Sequence, residues 1–318
     1  MTQEQLNDDV YGLIDEANFA RRLGQSAEDV SAALAGYPLP ALGYRRLRET
    51  EKPGFYQGMI DRLRVMQLTQ GVQSNPDNWQ GEWAKVLDRV RRDGVSLESL
   101  RPDYYNFESL RLDQDYVFSD DPAFEQHFYL AVLRCLFARY VPGAARVTDL
   151  GCGAGASLYL LAEMFPEIEL CGCDWAEPSQ EIVALIGAAV GRSIEARNIN
   201  MNTMAGWGNV PIDGETAVTT LHAMEQLGKN FEPLLDGLMA RRPQIVIHLE
   251  PLAELYDPEN LADKIALTYH RQREYLEGYL PRLHGLQAAG EIEILEERRL
   301  FFGSLWHEAY GVLVWRPL

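Results

Sequence analysis

Val147-Thr148-Asp149-Leu150-Gly151-Cys152-Gly153-Ala154-Gly155-Ala156 reads as a strand that runs into a glycine-crowded turn and then into a helix. Arg146–Leu150 forms the strand and Ser157–Met164 the helix. Glycine tolerates positive φ and lets a ligand approach the backbone without meeting a Cβ. The first turn of the following helix offers amide N–H groups that have no partner within the helix. A turn that binds nothing is the bland alternative. A dinucleotide would use Gly151-x-Gly153-x-x-Ala156. Asp149 weighs against that ligand, because a carboxylate at the strand's end opposes a pyrophosphate but suits an ammonium group.

Outward from this turn, strands and helices alternate. Strands are expected at Ile168–Asp174, Ile194–Asn200, Thr216–Leu221 and Gln244–Glu250, with helices at Ser179–Val190 and Phe231–Arg241. Such alternation predicts a parallel sheet covered by helices on both faces. Glu291–Leu300 and Glu308–Trp315, joined by a segment holding Gly303, read as a closing hairpin. From Thr2 to about Tyr140 the texture is helical, without a convincing strand. Gln3–Leu23, Ser26–Leu34 (Ser26 as N-cap), Tyr56–Leu68 and Asn78–Val90 space their apolar residues as helices do. Asp93–Asp121 is loop-rich and holds Tyr104, Tyr105, Phe107, Tyr116 and Phe118. Pro122–Tyr140 is an apolar helix stopped by Val141-Pro142-Gly143.

The glycine turn resembles the first motif of the class I S-adenosyl-L-methionine (SAM)-dependent methyltransferases, with Asp149-Leu150-Gly151-Cys152-Gly153-Ala154-Gly155 matching throughout. The resemblance spans roughly Pro122–Leu318, and the closing hairpin is similar to the family's sixth and seventh strands. It implies an α/β fold, a Rossmann-like seven-stranded mixed sheet over 122–318, preceded by an α-helical cap over 1–121. It also implies SAM as cofactor, held by Asp149, Gly151, Cys152, Gly153, Gly155 and Leu221. Asp174, at the next strand's end, sits at the spacing of a residue that grips ribose hydroxyls. Trp175 lies against adenine or caps the sheet. Asn200 stands where the family commonly carries an acid or amide near the adenine amine; a turn-forming asparagine is the competing reading. After the fourth strand, Leu221-His222-Ala223-Met224-Glu225-Gln226-Leu227 resembles a leucine-glutamate-histidine-leucine segment, with Gln226 in the histidine's place.

Charge and composition narrow the partners. The 318 residues carry a formal net charge of −18, which repels nucleic-acid phosphates. No apolar run is long enough to cross a bilayer, and the acidic start lacks a signal-peptide core. A cytoplasmic protein with a small-molecule substrate is expected, and a homodimer is one assembly open to it. The four cysteines form no CxxC pair. Cys171 and Cys173 point to one face of a strand, which packing explains better than zinc or a disulfide.

SAM carries its own activated methyl group, so the protein must align an acceptor and, for some acceptors, supply a base. His222, Glu225 and His248 are the candidate catalytic residues. Tyr104, Tyr105, Tyr116, Glu250, Tyr269 and Arg273 are the candidate substrate contacts, with His270 and Tyr275 in the same helical stretch as Tyr269 and Arg273, and His307 and Tyr310 at the start of the last strand. Helix capping, a buried strand face and a solvated helix face are the bland readings of these side chains. His222, Glu225, His248 and Glu250 suit a metal by ligand type, but their spacing does not, and none is expected. Methyl transfer to a small polar metabolite, in specialised metabolism, is the expected activity. Its rivals are cyclisation of SAM to azetidine-2-carboxylate with release of methylthioadenosine, SAM binding without turnover, and a dehydrogenase.

Overall fold

The computed structural model describes residues 11–69, 76–105 and 108–318. The chain opens with β1 (Tyr11–Ile14), α1 (Glu16–Leu23), α2 (Ala27–Leu34) and β2 (Leu42–Arg46). Two 18-residue helices follow, α3 (Lys52–Thr69) and α4 (Pro76–Asp93), then the hairpin β3 (Ser109–Leu112) and β4 (Asp115–Phe118). Gln3–Leu23 was expected to be one helix. Its described part begins as a strand and turns helical only after Asp15, whose side chain accepts the Asn18 amide and caps α1. Ser26 caps α2 as its residue type predicts, accepting the Asp29 amide at 3.0 Å. Gln3–Val10 and Phe107 lie outside the described residues.

The second part begins with α5 (Phe124–Tyr140) and continues β5 (Arg146–Leu150), α6 (Ala156–Met164), β6 (Glu169–Asp174), α7 (Glu177–Val190), β7 (Glu195–Asn198), β8 (Thr216–Leu221), α8 (Glu232–Arg241) and β9 (Ile245–Glu250). It closes with α9 (Leu261–Arg273), α10 (Tyr279–Ala288), β10 (Ile292–Arg299), β11 (Phe302–Gly303) and β12 (Gly311–Pro317). Seven strands form one sheet in the order β10-β12-β9-β8-β5-β6-β7. β5 to β9 pair in parallel, while β12 runs antiparallel to both neighbours. This is the expected seven-stranded mixed sheet. β5 and β8 are buried along almost their whole length, as central strands covered on both faces must be.

The cap departs from the all-helical expectation. Its four short strands form a second sheet, β1-β2-β4-β3-β11, whose last member comes from the far end of the chain. Phe302 and Gly303 pair with Leu112 and Arg111 of β3. Beneath this junction lies a buried ionic cluster. Arg111, wholly buried, donates to Asp263 Oδ1 at 2.6 Å and to the Ala262 carbonyl at 2.6 Å. Arg299 reaches both oxygens of Asp263 and both of Glu308 at 2.6–2.9 Å. Two cations thus face two carboxylates across the cap–core boundary, so little net charge is left unpaired in the interior.

Candidate active site

At the tip of β5 the chain turns through Gly151, Gly153 and Gly155 with φ of +79°, +49° and +73°. A Cβ on Gly151 would lie 2.4 Å from the Cβ of Ala223, and one on Gly153 would lie 2.7 Å from the Trp83 ring. Both the backbone conformation and the space demand glycine. Cys173 O accepts the amides of Gly151 and Cys152, fastening the turn to β6. Asp174 Oδ2 takes the Gly153 amide and Oδ1 the Ala176 amide, each at 2.9 Å. A carboxylate has about four lone-pair sites, so Asp174 keeps acceptor capacity toward the cleft that it lines.

That cleft, about 1430 Å³, runs across the carboxyl ends of the parallel strands. One half is walled by the glycine turn, Asp174, Trp175, Asn200, Leu221 and Ala223. Asn200 Oδ1 accepts the amides of Asn202 and Thr203, so its carbonyl builds the turn there while the residue still faces the cleft. Asp149 sits beneath the turn, 1% exposed, and accepts the hydroxyls of Ser157 and Thr219. Burial raises its pKa to about 6, and those hydroxyls oppose the rise.

The other half is bounded by α9 and the segment 304–309. Tyr269 stacks on Trp306 with centroids 5.7 Å apart, and Tyr275 closes edge-on at 5.7 Å. Arg273 lies over both tyrosines. His270 Nε2 and His307 Nδ1 share a hydrogen bond of 3.0 Å. Burial holds both imidazoles neutral by lowering their pKa. Glu225 also lines the cleft, with its pKa raised to about 8 by burial and by the Glu250 charge.

A chain of rings joins the halves. Trp79 stacks on Trp83, Tyr104 meets both edge-on, and Tyr105, Tyr129, His222 and Tyr310 follow at centroid spacings of 4.8–6.1 Å. His222 adopts φ +57°, unusual for a residue with a side chain and a form of strain that clusters at functional positions. One ring nitrogen donates to the Ala309 backbone, Nε2 is buried without a partner among the described residues, and burial lowers the pKa to about 4. The imidazole is therefore neutral at physiological pH, with a bare nitrogen at the junction of the halves.

Three sequence candidates are not brought to the cleft. His248 lies inside the core, where Thr220, Tyr279 and Trp315 occupy both ring nitrogens at 2.7–2.9 Å. Trp315 can only donate, which fixes Nε2 as the unprotonated nitrogen. Glu250 Oε1 accepts the amides of Ala223 and Met224 and so shapes the turn after β8. Tyr116 packs under the cap against Phe55 and Tyr56. Among the described residues, no group of three or more His, Cys, Asp or Glu side chains is arranged to hold a metal. Sequence reasoning missed Trp79, Trp83, Glu125 and Tyr129. Glu125 and Tyr129 stand four apart on α5, a spacing that puts them on one face, but an almost wholly buried helix masks that signal. Replacing His248 with alanine is expected to lower stability by about 2–4 kcal/mol, through a cavity and unpaired partners. Thermal melts should show that loss, while titration with S-adenosylhomocysteine (SAH) gives unchanged affinity.

Fold and cleft together define an α/β protein with a glycine-cradled site at the strand tips. The chain is 35% identical over 100 residues to trans-aconitate 2-methyltransferase from Variovorax paradoxus (strain S110), a match to 31% of this chain and 35% of that protein. It thus spans about a third of that relative's length. No protein-family profile matches the chain. Among solved structures, it is similar to the riboflavin-analogue dimethyltransferase RosA from Streptomyces davawensis, at 14% identity and TM-score 0.41, covering 99% of this chain and 91% of that one. It is also similar to the 16S rRNA methylase ArmA, at 14% identity and TM-score 0.42, covering 74% and 98%. The N-terminal domain of EvdMO1, solved with SAH, aligns at 18% identity and TM-score 0.41 over 63% and 86%. No described helix is long and apolar enough to cross a membrane.

Proposed function

We propose that the protein is a SAM-dependent methyltransferase acting on a small polar metabolite. The observation that carries this reading is the crowded glycine turn beside Asp174, opening into a cleft with a separate second half. The residues present fit the cofactor. The turn leaves no room for a Cβ, Asp174 has lone pairs to spare for ribose hydroxyls, and Trp175 and Leu221 offer apolar surface for a base. Asp149 and Gly155 hold the turn in shape. When bound, SAM supplies a methyl group on a sulfonium. The protein's own work is to enclose it, orient the acceptor and receive a proton. The second half supports an acceptor: one drug-sized ligand fills roughly 300–1,000 Å³, so the cleft has room for two molecules. That room favours transfer over cyclisation of SAM alone. His222, neutral and bare at the junction, is the group poised to accept a hydrogen bond from the acceptor. The acidic chain and enclosing cap favour a small molecule over nucleic acid.

Mass spectrometry of products tests the reading. Protein with SAM alone should release no methylthioadenosine, and SAH should form only when an acceptor is added. Methylthioadenosine from SAM alone would establish cyclisation instead. Asp174→Asn should weaken SAH binding by about 1–3 kcal/mol, the scale of a hydrogen bond to a charged group. Calorimetry would read this as roughly a 10- to 100-fold rise in Kd, and unchanged affinity would remove Asp174 from the pocket.

A further inference from the structure

Glu125 of α5 is a carboxyl with no cationic partner among the described residues. Its side chain lies in the cleft wall and the residue is 4% exposed. Tyr310 donates to Oε1 at 3.0 Å, and among the described residues Oε2 is buried without a partner. Among the described residues no arginine or lysine offsets the burial, which pushes its pKa up to about 8. The Tyr310 ring that holds it stands 4.8 Å from the His222 ring, so this carboxyl belongs to the junction where the cofactor half meets the segment 304–309. Among the described residues, Glu125 Oε2, His222 Nε2 and Gln226 Oε1 are buried atoms of cleft-lining residues without partners; the last two accept hydrogen bonds, and Glu125 Oε2 does so once its carboxyl is ionised. A buried acceptor left unpaired costs about 1–3 kcal/mol, so a ligand that fits here brings a donor to it. A hydroxyl has one proton to give and brings no charge. A carboxylate has none and is repelled. An ammonium has up to three donors and the opposite charge.

We infer that the acceptor is an amine, bound as its ammonium by Glu125 Oε2 beside His222 Nε2, and that Glu125 takes the proton that frees the nitrogen lone pair. This rests on the methyltransferase reading above. The ammonium yields one proton to the Glu125 carboxylate, and the nitrogen lone pair forms an N–C bond to the methyl carbon of SAM. The C–S bond pair returns to sulfur, leaving a neutral thioether. The methylated nitrogen keeps the positive charge, and the proton passes from Glu125 to solvent. Atoms and charge balance without a further reactant.

The test uses the full chain saturated with SAH and titrates it with n-butylammonium or n-butanol by calorimetry, in the wild type, Glu125→Gln and Tyr310→Phe. The wild type should prefer the ammonium over the alcohol at least tenfold. Glu125→Gln should lose that preference while keeping its SAH affinity, and Tyr310→Phe, which retains the carboxyl, should keep the preference. Equal binding of both probes by the wild type overturns the amine subsite, and so does a preference that survives Glu125→Gln or disappears in Tyr310→Phe. Weakened SAH binding in Glu125→Gln also overturns it, because the carboxyl would then serve the cofactor's own ammonium. Failure of the wild type to bind SAH is a different result and sinks the methyltransferase reading itself.

Discussion

Gly153→Val should abolish SAH binding while leaving a folded protein. The substitution places a branched side chain where its Cβ alone would stand 2.7 Å from the Trp83 ring, at a φ of +49°. A β-branched residue resists that backbone region. Relief requires either rotating the turn or lifting α4 away from it, and both deform the floor of the cleft. The turn's other anchors, the amides bonded to Cys173 O, are untouched, so the sheet beneath should survive. Calorimetry should show a rise in Kd beyond 100-fold, with far-ultraviolet circular dichroism unchanged. Wild-type affinity in this variant would remove the glycine turn from the binding site.

Arg111→Ala is expected to cost about 3–5 kcal/mol, the scale for removing one partner from a buried ion pair. The loss strands Asp263 and Glu308 with a single cation, Arg299, and leaves the Ala262 carbonyl without its donor. It also weakens the place where the cap sheet meets β11. Chemical denaturation should show the midpoint falling. Arg111→Met, which fills the volume but leaves the charge imbalance, should recover only part of the loss. If Arg111→Ala melted like the wild type, the cluster would not be holding cap to core.

The parallel core was legible because its strands end where the chemistry begins. β5 and β8 have the expected bounds, and the remaining parallel strands begin or end within two residues of them. The cap strands were not legible, for local reasons. The β3–β4 hairpin turns at Asp113 and Gln114, both with positive φ and neither of them glycine, so the usual Asn-Gly or Asp-Gly signal is missing. β1 is four residues long and β11 two, too short for alternation to register. At the cleft, the glycine turn at the strand tip was legible because positive φ dictates its residue type. His248 and Glu250 misled because a strand's two-residue period says which face they share, not whether that face meets solvent or α10. Glu125 went unread because its surroundings come from residues distant in sequence, with Tyr310 its one hydrogen-bond donor among the described residues.

The pairing of β11 with β3 also bears on how the chain is made. Leu112 and its partner Phe302 are separated by about 190 residues, and synthesis at 5–20 residues per second leaves an interval of about 10–40 s between them. Throughout that time the outer edge of β3 has exposed backbone donors and acceptors, the kind of edge that recruits other chains. Nascent protein should therefore be most prone to aggregate just before β11 emerges, and a chaperone that shields open strand edges should raise the yield of folded protein more than one that acts after release.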